Sequence, residues 1–308
     1  MAATWTTQRE RSNMVALSML VWVALRLGRR VARFFLYPIT FYFVVASKAA
    51  RAASRDYLRR VLGREATLID GFRHVFCFAA STLDRVFLLN DRTDLFDLRV
   101  TGRDIIGHES FGRGGAFVIG AHLGSFEAVR AAGQRERALP VSMVMYEDNA
   151  QQINRILAAI NPRLAQSIIP LGRVDSMLRV KRALDDGGLI GMLADRTLGE
   201  NGQSEAVRRV MLLGAPVTIP LGPFRMAAML KRPVIFMVGL YGGGNRYDVH
   251  YEILADFSEA AAPAGPERAA AIDAAIDCYA GRLEHYCRIA PYNWFNFYAY
   301  WDESSNDG

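Results

Sequence analysis

The sequence predicts an α/β fold: a mixed, largely parallel central sheet flanked by helices, with an N-terminal helical membrane anchor. Three observations predict it. From about residue 67 onward, short apolar runs alternate with amphipathic stretches at helical spacing. Residues 116–121 form a wholly apolar run that ends in a histidine, a glycine-containing turn and a new helical stretch, the order of a strand-to-helix crossover. The first 64 residues instead combine long apolar runs with arginines, unlike the rest of the chain.

That asymmetry divides the chain into an anchoring segment, 1–64, and an α/β domain, 65–308. Residues 1–64 hold twelve Arg and Lys against Glu10 and Asp56, a net charge of +10. The whole chain is +6, so the other 244 residues carry −4. Two apolar runs, 14–27 and 34–46, flank an arginine-rich hinge that opens at Gly28. Each is shorter than the roughly 20 residues a spanning helix needs. No cleavage signal follows the first run. The expectation is an embedded or interfacial helical hairpin, or one tilted span with snorkelling arginines. Trp5, Trp22, Tyr37 and Tyr42 suit the water–lipid boundary. The arginines alternate with aliphatic stretches, which argues against nucleic acid as a partner. Residues 51–64 predict a basic amphipathic helix ending near Gly63.

The globular elements follow in order. Residues 67–90 have helical spacing, and 95–101 predict a short strand. Residues 116–121 predict a buried strand, then 125–133 a helix capped by Ser125. Strand 141–146, helix 149–160, helix 174–185 and strand 189–194 come next. The last of these delivers Asp195-Arg196 to the edge of the sheet where His122 stands. A helix is expected over 218–230, strands over 234–240 and 247–254, and a long helix over 266–289 that Pro291 stops. Residues 258–265 are an Ala/Pro/Gly-rich connector.

The chemistry is concentrated at His122. Of the five histidines, it alone has an acid five positions later, Glu127. Open α/β sheets place their sites at the carboxyl ends of strands. A carboxylate on one imidazole nitrogen leaves the other free to take a proton from a hydroxyl. Glu127, near a helix amino terminus, is the expected orienting group. The competing reading is a strand-end histidine merely satisfied by hydrogen bonds. No Gly-x-Ser-x-Gly elbow is present, so a serine acyl-enzyme is not indicated, and Ser125 reads as a helix cap before a nucleophile. Arg173 and Arg196 are candidates to neutralise acceptor phosphates or a developing oxyanion, and Asp195 to order Arg196 or the acceptor. The aromatics of 294–301 read as core packing, a tunnel wall or an interfacial patch. Cys77, Cys278 and Cys287 have no metal or disulfide spacing. No metal or cofactor is expected.

His122…Glu127, Asn149, Gly172-Arg173, the run Leu189–Asp195, the segment Leu213–Thr218 and Pro291-Tyr292-Asn293-Trp294 together resemble the bacterial lipid A biosynthesis acyltransferases. These are His-x4-Asp/Glu enzymes with a glycerolipid-acyltransferase-like fold. Arg196-Thr197 after Asp195 and Asn293 in place of glutamine depart from the lipid A pattern. The amino segment and the tail 293–301 are closer to the branch associated with aryl polyene and xanthomonadin-type pigment clusters. The resemblance implies acyl transfer from an acyl carrier protein or coenzyme A thioester, as co-substrate, to a hydroxyl of a membrane lipid. It also implies the cytoplasmic face of a bacterial inner membrane. It assigns His122 and Glu127 to catalysis; Arg173, Asp195, Arg196, Ser125 and Asn149 are the candidate substrate-binding residues. A thioester or ester hydrolase with the same pair, a late lipid A acyltransferase proper, and a non-catalytic lipid-binding scaffold are the alternatives.

Overall fold

In the computed structural model, the described residues are 14–107, 114–136, 140–146, 168–172, 175–196, 206–258 and 265–301. Strands β1 (Asp97–Thr101), β2 (Ala116–Gly120), β3 (Val141–Tyr146), β4 (Ile168–Leu171), β5 (Leu189–Leu193), β8 (Val234–Tyr241) and β9 (Arg246–Ala255) form one sheet in the order β1-β9-β8-β2-β5-β3-β4. Only the β8–β9 pairing is antiparallel; the others are parallel. This is the mixed, largely parallel sheet the sequence predicts. β2 and β8 lie at its centre and are buried along their whole length. A strand covered on both faces reads as a continuous apolar run, as these two do.

Alternate side chains divide that core. Phe117, Ile119, Ile190 and Phe236 share one cluster with Ile276, Tyr279 and Leu283 of the long helix Pro266–Ile289. Ala116, Val118, Met237 and Val249 pack on the other face against Val129 and Ala132 of α5 (Phe126–Glu136). The period of two along each strand makes this two-sided filling possible.

Helix α1 (Met14–Ala46) is broken at Gly28, whose φ of 80° and ψ of 163° are not helical. Lys48–Leu62 follows as α2, closed by Gly63 in the left-handed conformation, then Leu68–Leu88 as α3 and the short Arg103–Gly107 as α4. Thr67 and Asp70 make a capping box at the start of α3, so two otherwise unpaired backbone donors are satisfied there. Ala24, Ala32 and Leu36 of α1 share a core with Leu83 and Phe87 of α3, and Tyr57, Leu58 and Val61 of α2 belong to the main core. Arg29 grips the buried Asp84 of α3 through two bonds of 2.6 and 2.7 Å. Tyr247 of β9 donates to the same carboxylate at 2.9 Å. Among the described residues no single helix is long and apolar enough to cross a membrane. Ala24–Ala46 and Lys48–Leu62, bent by 95°, meet the length and composition of a span only as a broken pair.

Two expectations are corrected. The segment around Thr218 is not helical: β6 (Val207–Leu212) and β7 (Ala215–Pro220) form an antiparallel hairpin, and the helix runs only over Gly222–Met229. Leu213 and Gly214 both have positive φ, 50° and 80°, the twist that joins two strands through a two-residue turn. β4 was not expected as a strand; it occupies the edge of the sheet, where Pro170 removes no central ladder bond. The expected helix 149–160 lies outside the described residues.

Candidate active site

The register of β2 on β5 builds the site. Gly120 pairs with Leu193, and the Ala194 amide donates to the Gly120 carbonyl at 3.1 Å. Two residues beyond the end of this pair on each strand stand His122 and Asp195. His122 Nδ1 lies 2.9 Å from Asp195 Oδ1, and the His122 amide donates to Oδ2 at 3.0 Å. The Trp294 indole donates to the same Oδ2 at 3.0 Å. The Tyr300 hydroxyl donates to the Asp195 carbonyl at 2.8 Å.

Asp195 therefore receives three N–H groups on a side chain that is only 1% exposed. Burial works to raise its pKa, but His122, Arg196 and Trp294 outweigh burial and hold the carboxyl well below the usual range. An ionised carboxylate only accepts, so Nδ1 of His122 must carry the hydrogen and Nε2 must present a lone pair. Burial also pulls the His122 pKa down; Asp195 opposes it, while Arg196 and Arg85 add to the lowering. The imidazole is thus neutral at pH 7, and its side chain is 33% exposed. Such an imidazole can act as a general base through Nε2.

Glu127 is not the group on the imidazole. Its Oε1 lies 2.7 Å from Arg85 Nε of α3, and its Oε2 accepts from Ser125 Oγ at 3.3 Å. The His122 orientation expected of Glu127 falls to Asp195, which the register brings directly opposite, while Arg85 draws Glu127 toward α3. Ser125 Oγ accepts from the Ala128 amide at 3.2 Å, so it caps α5 as expected. Arg196 donates to the Phe295 carbonyl at 3.1 Å and its guanidinium carbon lies 5.1 Å from the centre of the Tyr298 ring. Asn149 and Arg173 lie outside the described residues. The structure thus brings His122, Asp195 and Arg196 together, with Ser125 and Glu127 on the next turn.

The tail holds this cluster from behind. Leu123 bridges Trp294 in antiparallel sense, and the Phe295 amide donates to the His122 carbonyl at 2.8 Å. Asn293 clamps the Tyr241 backbone, accepting from its amide at 2.7 Å. The Trp294 ring is fully buried and packs edge-on against Tyr57 and Tyr300. Its carbonyl accepts from Nε2 of His74, whose Nδ1 accepts in turn from the Ser54 hydroxyl. Burial pushes the His74 pKa down to about 4, so this histidine is a neutral structural link. Of the tail aromatics, Trp294 and Trp301 are core residues with Tyr300 packed against them, while Phe295, Phe297 and Tyr298 are half-buried. Trp294 and Tyr300 as partners of Asp195, and Arg85 as partner of Glu127, were missed. Trp294 was visible within Pro291-Tyr292-Asn293-Trp294; Arg85 is one arginine in an amphipathic helix and carried no signal.

Among the described residues no group of three His, Cys, Asp or Glu side chains gathers as a metal site. No known family model matches the chain, and no curated protein matches it.

Proposed function

We propose that the protein is a membrane-associated O-acyltransferase that moves an acyl chain from a thioester of acyl carrier protein or coenzyme A to a hydroxyl of a lipid-type acceptor. The observation that supports it most is the neutral His122, donating Nδ1–H to a buried carboxylate and leaving Nε2 as an acceptor at the sheet edge. Nε2 takes the acceptor's proton as its oxygen attacks the thioester carbonyl. The C–O bond forms, the C–S bond breaks, and the imidazolium returns its proton to the leaving thiolate. Asp195 stabilises the imidazolium while it exists. The resemblance to the lipid A acyltransferases supports a lipid acceptor, and its departures favour a pigment-type or other lipid over lipid A itself. An acidic acyl carrier protein suits the basic helix α2. The outward face of α1 supports the lipid surface: Phe34, Phe41 and Tyr42 are exposed there, as is Leu68 at the start of α3. A bacterial inner membrane, on its cytoplasmic face, is the proposed location.

The test incubates the full chain with radiolabelled acyl carrier protein thioester and membrane lipids. Acylated lipid is the expected product. His122→Ala should lower its rate by about 10²–10⁴-fold with the fold intact, the usual contribution of a general base. Free acid as the sole product would make the protein a hydrolase, and no turnover would make it a scaffold. Activity of the variant above roughly a tenth of the wild type would remove His122 from the role.

A further inference from the structure

Trp294 touches both members of the His122–Asp195 pair, by different means. Its main chain bridges Leu123, between the Gly124 amide on the Asn293 carbonyl and the Phe295 amide on the His122 carbonyl, each at 2.8 Å. That ladder fixes the turn on which the imidazole is carried. Its indole N–H reaches Asp195 Oδ2 at 3.0 Å, the oxygen that also takes the His122 amide, and so leaves Oδ1 to face Nδ1. Trp294 is itself gripped from the far side. Its carbonyl lies 2.7 Å from Nε2 of His74 on α3, and His74 Nδ1 lies 2.8 Å from the hydroxyl of Ser54 on α2. Ser54, His74, Trp294 and Asp195 are all buried. Chemistry fixes the direction of every link. A carbonyl only accepts, so His74 Nε2 donates, and the neutral ring then accepts from Ser54 through Nδ1. An indole only donates, and an ionised carboxylate only accepts. Reversing or omitting any link would leave a buried polar group unpaired, which is unfavourable.

We propose that Trp294 is a positioning residue for His122, acting through Asp195, and that His74 and Ser54 are positioning residues for Trp294. The hydrogen-bonded relay runs from α2 through α3 and the C-terminal segment to the sheet edge, so helices outside the sheet decide how the imidazole is held. The inference rests on the acyltransferase reading only for calling that imidazole a base.

The test removes one donor and keeps the shape. 3-Benzothienylalanine, placed at position 294 of the full chain by suppression, carries sulfur where tryptophan carries the indole N–H. Proton NMR titration of the protein in detergent micelles reads the His122 ring without turnover, and His122→Gln assigns its signal among the five histidines. With one donor fewer, the Asp195 carboxylate directs more of its charge at Nδ1 and favours the imidazolium. The His122 pKa should therefore rise by about half a pH unit or more. That is opposite in sign to loss of the Asp195 charge itself. The charges acting on His122 are Asp195, Arg196 and Arg85, the last paired with Glu127. Burial keeps Tyr279, Tyr298, Tyr300 and Cys287 around Asp195 protonated throughout the titration.

The same replacement at Trp301, whose indole N–H serves the Leu212 carbonyl at 3.3 Å, should leave the His122 pKa where it was. His74→Leu should move it in the same direction as loss of the indole N–H. His74→Gln, which keeps a donor for the Trp294 carbonyl, should restore the wild-type value. In the transfer assay the protein altered at position 294 should lose about tenfold in kcat with KM unchanged, as for an interaction that matters in the transition state. An unmoved His122 pKa in that protein, or an equal move on replacing Trp301, overturns the role of Trp294. An unmoved pKa in His74→Leu overturns the link to α2 and α3. If the pKa moves as expected and no form of the protein transfers acyl chains, the acyltransferase reading fails and the relay stands.

Discussion

At the scale of single residues, the division of labour between two carboxylates is the feature with the sharpest consequence. Asp195 lies on Nδ1 of His122, so under the proposed reaction Asp195→Asn removes the charge that would stabilise the imidazolium without removing volume. Transfer should fall at least about a hundredfold, within the range for an impaired general base. The pH dependence has a definite sign. A base works when unprotonated, and burial has lowered the His122 pKa below the ordinary histidine value. Activity should therefore persist below pH 6.5 and decline only at a lower inflection. Loss of the Asp195 charge removes a group that raises the His122 pKa, so the inflection of the variant should move further toward acid. A pH–rate profile of both proteins checks this; a variant whose inflection moves toward alkali would show that Asp195 does not govern the imidazole. His122 itself was legible in the sequence because a strand end and a turn mark its place locally. Its partner was legible only as far as the sheet edge. The bond joins residues 73 apart in sequence, and strand register is set by tertiary packing that local patterning does not encode.

Among the elements, the turn after β2 sets where the imidazole points. Gly124 has φ 72°, and a Cβ on it would come within 2.1 Å of the Gly239 carbonyl oxygen of β8. The Ser125 amide donates to that same carbonyl at 2.8 Å. Backbone thus meets backbone with no room for a side chain, and His122 is carried on the turn two residues earlier. Gly124→Ala should lose at least about 2 kcal/mol of stability and most of the activity, from left-handed strain plus displacement of the turn. Gly214→Ala is the natural comparison, because Gly214 has φ 80° but open space around its Cβ position. It should lose only about 1 kcal/mol, the backbone contribution alone. Denaturant unfolding of the pair measures the difference, and equal losses would mean that the approach of β8 does not fix the turn. The same glycine-bearing turn was plain in the sequence between Ala121 and Phe126. The β6–β7 hairpin was not, since its turn is Leu213-Gly214 without the Asn-Gly or Asp-Gly that advertises such a connection. Pro216 and Pro220 within the second strand further disguised it. Strand β4, four residues with a proline at an edge, falls below what periodicity can detect.

For the molecule as a whole, the amino-terminal helices have two faces with opposite requirements. Ala32, Leu36 and Thr40 of α1, past the break at Gly28, are buried at four-residue spacing along one side of the helix, and Ala24 is buried before the break. Arg29 and Arg33 both donate to the Gly244 carbonyl in the β8–β9 turn, which ties that side to the sheet. The opposite side exposes aromatic rings that water does not favour, with Phe34 70% open and Tyr42 65% open. Deleting the segment would strip a wall from the core as well as any anchor, so its removal cannot isolate the two roles. Point changes on the outer face can. Replacing Phe34, Phe41 and Tyr42 together by serine leaves the buried side intact and removes about 150–250 Å² of apolar surface for each ring fully buried in lipid. Sedimentation with vesicles containing anionic lipid should then fall by at least tenfold, while the thermal midpoint stays within a few degrees of wild type. The residual binding should be arginine-driven and disappear at about 1 M salt, where the Debye length is near 3 Å. The unchanged chain should remain on the vesicles at that salt, because apolar burial is not screened. A wild-type protein that salt alone releases would make the attachment electrostatic and leave the exposed aromatic face without the lipid role assigned to it.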